Sequence, residues 1–378
     1  MTRRLIILGL GVIGGQVLEQ LVFRNPQLEF VVVARNREQL ERRVNLSRYV
    51  FAQWDLYPKI TFEQCDLVDV DRHIELLIRY EPEVVFNATT PFPWWKIERL
   101  PSNRRDIAKL AGPGMWCALD GLLPFKISEA LHGAQSRATF VNGCYPDAVN
   151  RFLSRRPCAP SVGIGNIANV VPGLKLAFAA EYQIHPADVQ IRLVCHHYTS
   201  LNAPSPTLPN SCPYGLEIQI RERGKLLYFR NEDWPFKLFR DTLPRMRGLA
   251  GQSVTVSSAS ILLDAILNNR SRTLHAPGPN GLVGGYPIKI DKFGKIHLDL
   301  PENITETIAT QINQEGQRLD GLEIVEPGLM RATSTAASAF REVIGFDLPD
   351  ITFDNLEEIS RCAVRQLNEQ YDMDLTDL

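Results

Sequence analysis

Residues 5–8 form a short apolar run that stops at Gly9, after which Val17, Leu18, Leu21 and Val22 recur on one helical face. Asn25-Pro26 ends that helix, and residues 30–34 read as a strand buried on both sides. The alternation repeats, with a helix over 37–48, a strand over 59–65, a helix over 71–80 and a strand over 83–87. Strands and helices alternating through short turns predict a doubly wound parallel sheet with helices on both faces. Residues 88–113, with Pro91, Pro93, Trp94, Trp95 and the Arg104-Arg105 pair, read as a long irregular loop, the kind that usually carries function. Helix resumes over 115–132 and a strand over 138–142.

Beyond residue 152 the pattern changes. Residues 166–182 read as one long apolar helix that has to accommodate Pro172-Gly173, and 189–196 as a strand. Segments near 215–230 and 284–300 alternate apolar with polar, as antiparallel strands packed on one face do. Helices are expected over 254–269, 303–318 and 354–371. The organisation expected is therefore an α/β domain over 1–152 and an α+β domain over 153–378.

Composition narrows this picture. The chain has 378 residues, enough for two cores at roughly 150 residues per domain. Its 41 Lys and Arg against 43 Asp and Glu leave a formal charge of −2, so no basic footprint marks it for nucleic acid or an anionic membrane. The seven cysteines are scattered, odd in number and without a C-x-x-C pair, which argues against a disulfide scaffold and for a reducing cytoplasm. Residues 1–13 imitate the charged and apolar parts of a signal peptide, but the glycine spacing and helical continuation argue against cleavage. No run of about 18 uninterrupted apolar residues reads as a membrane span, so a soluble cytoplasmic protein is expected.

Strand, then Gly9, Gly11 and Gly14, then helix is the setting of a dinucleotide-binding turn. Gly9 permits the turn, Gly11 lets backbone N–H groups approach a pyrophosphate, and Gly14 lets the helix pack close. Val12 and Ile13 open the helix whose positive end faces the phosphates. This predicts a Rossmann domain. At the end of the second strand, where an acidic side chain would take the ribose hydroxyls of NAD, the chain has Ala34-Arg35-Asn36-Arg37. Guanidinium groups at Arg35 and Arg37 suit a 2′-phosphate, so NADP(H) is expected, with NAD(H) the alternative.

Residues 31–40, Cys65-Asp66-Leu67 and residues 83–87 resemble the NADP-binding domains of saccharopine-dehydrogenase-like and short-chain-reductase-like proteins. That resemblance implies that Asp66 and Leu67 border the adenine, and that Asn87 and Ala88, with Thr89, border the nicotinamide ribose. Residues 138–300 resemble the lactate/malate dehydrogenase superfamily. The resemblance rests on the order of Asn142-Gly-Cys-Tyr-Pro146-Asp147, Gly163-Ile-Gly165-Asn166, Ile184-His-Pro186 and Cys195-His196-His197. Ile266-Leu-Asn-Asn269 and the strand pair turning at Gly294 complete that order.

This second resemblance implies hydride transfer between a nicotinamide and a carbonyl, hydroxyl or imine carbon, with His197 exchanging the substrate proton. It places Asn142 near nicotinamide and substrate, puts Asn169 where the family has the aspartate that orients the histidine, and implies a homodimer. Pro172 stands where the family has its carboxylate-binding arginine, and Arg104 or Arg105 would have to reach in from the loop. A larger or neutral carbonyl, or an imine, is therefore as plausible a substrate as a 2-hydroxy acid. Adjacent strand residues face opposite sides, so at most one of His196 and His197 enters a given cleft. Trp95 is a candidate for an aromatic substrate wall. Two rival readings stand beside this one. The first is an NAD- and manganese-dependent glycosidase, with Cys144, Cys195, His196 and His197 imitating its metal ligands. The second is a non-catalytic NADP(H)-responsive binding protein.

Overall fold

Apolar residues two apart in a strand face the same side, and the first strands use both sides. In β1 (Arg4–Leu8), Leu5 and Ile7 pack with Val17, Leu18 and Leu21 of α1 (Val12–Arg24), while Ile6 and Leu8 join the core of the opposite face. The same division runs through β2 (Glu29–Ala34) and the flanking α2 (Arg37–Ala52). Next come β3 (Ile60–Gln64), α3 (Val70–Tyr80) and β4 (Val84–Asn87). In this computed structural model, residues 3–205, 208–209, 211–220, 224–246 and 248–375 are described.

After β4 the chain forms α4 (Ser102–Ala111), α5 (Cys117–Gly133), β5 (Thr139–Asn142), α6 (Pro146–Leu153) and β6 (Val162–Gly163). The six strands form one parallel sheet in the order β3-β2-β1-β4-β5-β6. The order reverses between β1 and β4, which opens a crevice at the carboxyl ends of those strands.

The second half builds α7 (Val171–Tyr182), β7 (Val189–Cys195), α8 (His197–Asn202), β8 (Tyr214–Ile220), β9 (Lys225–Arg230), α9 (Trp234–Thr242) and α10 (Gln252–Leu267). Then follow β10 (Arg272–Pro277), β11 (Gly285–Ile290), β12 (Ile296–Leu298) and α11 (Glu306–Leu319). Its main sheet is antiparallel, in the order β10-β11-β7-β8-β9, with β12 on β11. The chain finishes with β13 (Leu322–Glu326), β14 (Leu329–Ala332), α12 (Ser334–Ile344), β15 (Ile351–Thr352) and α13 (Leu356–Tyr371). The architecture is a Rossmann domain followed by an α+β part. The halves interlock, since β6 completes the parallel sheet from beyond residue 152, α1 packs on α10, and α13 packs on α5.

Four sequence expectations change. Residues 88–113 are not irregular: 3-10 turns at Trp94–Arg99 and Pro113–Trp116 flank α4. This segment is pinned by the end of the chain. Lys96 Nζ donates to the carbonyls of Met373 and Asp374 at 2.7 Å, and Arg104 pairs with Glu342 of α12. The helix expected over 166–182 breaks into a 3-10 turn, Asn166–Asn169, and α7, which places Pro172 in a first turn where its missing N–H costs nothing. The strand expected over 189–196 stops at Cys195. Finally, Gly248–Leu267 is long and apolar enough to cross a membrane, contrary to expectation. Here it lies against α1 with Val256, Ala259 and Leu263 in the core.

His73 of α3 is fully buried, and neither ring nitrogen has a hydrogen-bond partner among the described residues. Burial pushes its pKa down to about 4, so the folded protein holds it neutral. The unfolded chain, with an ordinary value near ~6.5, takes up that proton first, so stability falls as pH drops from ~6.5 towards 4. His73→Leu should flatten the urea midpoint over that window; an unchanged slope would refute this source of acid sensitivity.

Candidate active site

The glycine turn leads out of β1 at the edge of the crevice. Gly9 takes a φ of +88°, and a Cβ on it would come within 2.5 Å of Thr89 Cγ2, just past the end of β4. A Cβ on Gly14 would meet the Gly9 carbonyl oxygen at 2.0 Å, so α1 is seated tightly on the turn. Gly11 is different: it is exposed, caps α1, and nothing stands within 4 Å of where its Cβ would be. The first-turn N–H groups of α1 lack intrahelical acceptors, as at any helix start, and here they adjoin open space. Such a helix start could hold a pyrophosphate.

The second cluster assembles around one carboxylate. Asp320 follows α11 directly, and its side chain is 1% exposed. Its Oδ2 atom lies 2.7 Å from His197 Nδ1 and 3.3 Å from His196 Nδ1, and it accepts the Tyr145 hydroxyl at 3.2 Å. Three local features bring these groups together. Gly316 lets α11 lie on His196, since a Cβ there would stand 2.4 Å from the His196 Cβ. Tyr145 turns the chain from β5 into α6 with a φ of +36°. Asp147, buried in the first turn of α6, accepts the His197 backbone N–H at 2.9 Å and also accepts from the Asn166 amide.

The His197 side chain keeps 20% exposure. Its Nε2 has no hydrogen bond among the described residues, so that side of the ring is open to a substrate. Burial alone would lower the His197 pKa, but the Asp320 charge and hydrogen bond, with Asp147 and Asp120 behind them, raise it to about 9. Burial likewise works to raise Asp320, and the facing histidines outweigh it, holding the carboxyl well below the usual range. At neutral pH the pair is an imidazolium on a carboxylate, an acid oriented through Nδ1.

A third carboxyl joins from α5. Asp120 Oδ1 accepts from Thr90 Oγ1 and from the Cys144 thiol, both at 3.3 Å. Burial pushes its pKa up to about 6 against those hydrogen bonds and the charge of His197. Gly9 thus lies against Thr89, the adjoining Thr90 bonds Asp120, and the Asp120 charge acts on His197. These neighbours make the glycine turn and the histidine candidates for one site.

Several sequence-predicted residues stand elsewhere or do other work. Asn169 does not orient His197: its amide donates to Thr255 Oγ1 at 2.9 Å, and Asp320 supplies the carboxylate. Asn142 has no group left for a substrate. It is fully buried, its oxygen accepts from Asn87 and the Cys144 N–H, and its amide donates to Asn150 and the Cys144 carbonyl. Asn87 is likewise buried, holding Asn142 and capping Thr89, while Ala88 and Thr89 remain at the crevice. His196 and His197 do not face apart, because His196 caps α8 and His197 begins it, and both rings reach Asp320.

Asp66 closes its own turn by accepting the Val68 N–H, and Leu67 is in the core. Arg105 pairs with Glu98, and Trp95 packs edge-on against Trp94. Cys144 is spent on Asp120 and Cys195 is buried in β7. Among the described residues no group of three His, Cys, Asp or Glu is arranged to hold a metal ion, so the ligand set of the glycosidase reading is not gathered.

No family model matches the chain, and no curated protein matches it by sequence. Solved structures do match it by shape. Malate dehydrogenase from Cryptosporidium parvum superposes with a TM-score of 0.56 at 14% identity, over 85% of this chain and 98% of that one. Malate dehydrogenase from Plasmodium falciparum gives 0.55 at 12%, over 91% of this chain and 100% of that one. Lactate dehydrogenase from Eimeria maxima, solved with NADH and oxamate, gives 0.54 at 13%, over 84% and 91%. The chain has the lactate/malate dehydrogenase fold. Within that fold, Asp320 reaches His197 from α11, 123 residues along the chain. Sequence reasoning missed this partner because no local pattern joins the two. Asp120 had a visible signal, an acid in the otherwise apolar first two turns of the helix Cys117–Gly133.

The pair sets two pH limits. The His197 contribution to stability is complete below its ordinary value of ~6.5 and is lost as pH rises through about 9. The Asp320 contribution is present above the ordinary carboxylate value and is lost as pH falls through its lowered one. In Asp320→Asn, histidine NMR should show the His197 pKa falling from about 9 towards ~6.5; a value still near 9 would refute the pairing.

Proposed function

We propose that the chain is a nicotinamide-dependent oxidoreductase that uses NADP(H), with His197 as its acid–base residue. What carries this reading is the chain of neighbours from the glycine turn through Thr89 and Thr90 to Asp120, whose charge acts on the oriented His197. A nicotinamide cofactor, when bound, supplies or takes up hydride at its C4 atom. The chain's residues do the rest. The N-terminal turn of α1 holds the pyrophosphate over Gly11, Val12 and Ile13. Ala88 and Thr89 border the ribose at the end of β4.

In the reducing direction, His197 donates a proton from Nε2 to the carbonyl oxygen, and Asp320 keeps the ring oriented and its charge compensated. In the oxidising direction, neutral His197 accepts the hydroxyl proton at the same atom. His196, buried behind the ring, positions Asp320. The segment from Trp94 to Trp116, with Phe92 stacked on Trp116 at 4.4 Å, walls the site from water.

The choice of NADP(H) rests on this chain's own residues, since the Eimeria relative in fold carries NADH. Arg35 and Arg37 are exposed just beyond β2, Arg37 with its guanidinium 5.7 Å from the Phe62 ring centre, where an NAD site would place an acid.

Arg35→Ala should weaken NADPH binding roughly tenfold or more, the loss of a charged hydrogen bond, and leave NADH binding unchanged in a fluorescence titration. Tighter NADH than NADPH binding, unaffected by Arg35→Ala, would refute the cofactor choice. His197→Gln should slow NADPH oxidation by a carbonyl substrate roughly 100-fold or more while NADPH binding persists. Full turnover in that variant would remove His197 from the mechanism. NADPH binding without turnover of any carbonyl in a broad panel would favour a non-catalytic binding protein.

A further inference from the structure

Apart from the Tyr145 phenol, the ionisable groups that meet His197 from other elements are carboxylic acids. Asp320 holds its ring, Asp147 its backbone N–H, and Asp120 faces it from α5. The cations of the segment that walls the site are committed elsewhere: Lys96 and Arg99 to the tail carbonyls, Arg104 to Glu342, and Arg105 and Lys109 to Glu98. Pro172 contributes no donor. A substrate carboxylate placed beside Asp120 would meet like charge, with the His197 imidazolium already compensated by Asp320 and none of these cations at hand.

The three acids are not equivalent. Asp147 has both oxygens engaged, one by the His197 N–H and one by Asn166. Asp320 is committed to the ring through Oδ2, and its buried Oδ1 has no donor. Asp120 is anchored through Oδ1 alone, and its Oδ2 has no hydrogen bond among the described residues. Asp120 is also partly exposed, unlike the other two. It is the acid free to meet a substrate.

We infer that Asp120 is a substrate-binding residue whose free oxygen takes an ammonium group carried beside the reacting carbon. The substrate is thus an amino ketone or amino alcohol, not a 2-oxo or 2-hydroxy acid. This rests on the oxidoreductase reading above. In reduction the carbonyl carbon gains hydride from the reduced nicotinamide, the oxygen gains the proton from His197 Nε2, and the ammonium is unchanged. The partly desolvated setting strengthens such a charge-assisted hydrogen bond. An adjacent ammonium would favour the ionised carboxylate that burial disfavours.

The test compares two probes that differ only beside the carbinol carbon, 1-amino-2-propanol and lactate, on protein loaded with NADPH so that neither can react. Calorimetry should show the amino alcohol binding roughly tenfold tighter or more. Asp120→Asn, which keeps an acceptor for Thr90 and Cys144, should erase that preference. Lactate binding as tightly as the amino alcohol, no binding by the amino alcohol, or a preference intact in Asp120→Asn would each overturn the assignment. NADPH fluorescence in the same samples separates the two claims. If NADPH does not bind, the oxidoreductase reading fails; if it binds while the ammonium probe does not, only the role of Asp120 fails.

Discussion

A buried carboxylate cannot stand alone, and Asp320 is met by two imidazoles and a phenol on one oxygen. Removing one member of such a set strands a charge, at a cost of roughly 3–5 kcal/mol. The site therefore exists only when α11, α8 and the turn into α6 arrive together. Small features serve that meeting. Gly316 brings α11 onto His196, β7 stops one residue short so that His196 caps a helix, and Tyr145 takes a left-handed turn that delivers its hydroxyl. Asp147 then fixes His197 through the backbone, so the ring is held at both ends of its own residue.

The parallel sheet gives that cluster its neighbour. Because the strand order reverses between β1 and β4, the glycine turn and the end of β4 flank one crevice. The buried chain of amides from Asn87 through Asn142 to Asn150 ties the end of β4 to that of β5 and to α6. These asparagines do not face a ligand; they keep the cradle and the histidine at a fixed separation. The C-terminal helices serve the same end from the other side. They pack on α4 and α5, and the tail carbonyls hold Lys96, so the segment over the site is a braced wall rather than a free loop.

Much of this was legible where the information is local. The β–α alternation up to residue 87 followed from periodicity, and the turn from the spacing of Gly9, Gly11 and Gly14 between a strand and a helix. His197 could be found from the order of motifs around it. Its partner could not, because Asp320 meets it across 123 residues and through a helix cap that carries no recognisable spacing. The rule that adjacent strand residues face apart failed at His196 and His197 for one reason: the strand had already ended. Prolines and tryptophans hid α4 and its flanking 3-10 turns, whose stability comes from tertiary partners such as Glu342 and the Met373 carbonyl.

On this reading cofactor and acid meet at one site, and a crystal structure of the protein with NADPH bound would show it. The pyrophosphate should lie over Gly11 at the start of α1, and nicotinamide C4 should face the His197 side, with Nε2 within hydrogen-bond reach, about 2.6–3.2 Å, of a carbonyl oxygen placed on C4. A nicotinamide turned away from His197, or a dinucleotide seated away from the glycine turn, would contradict it.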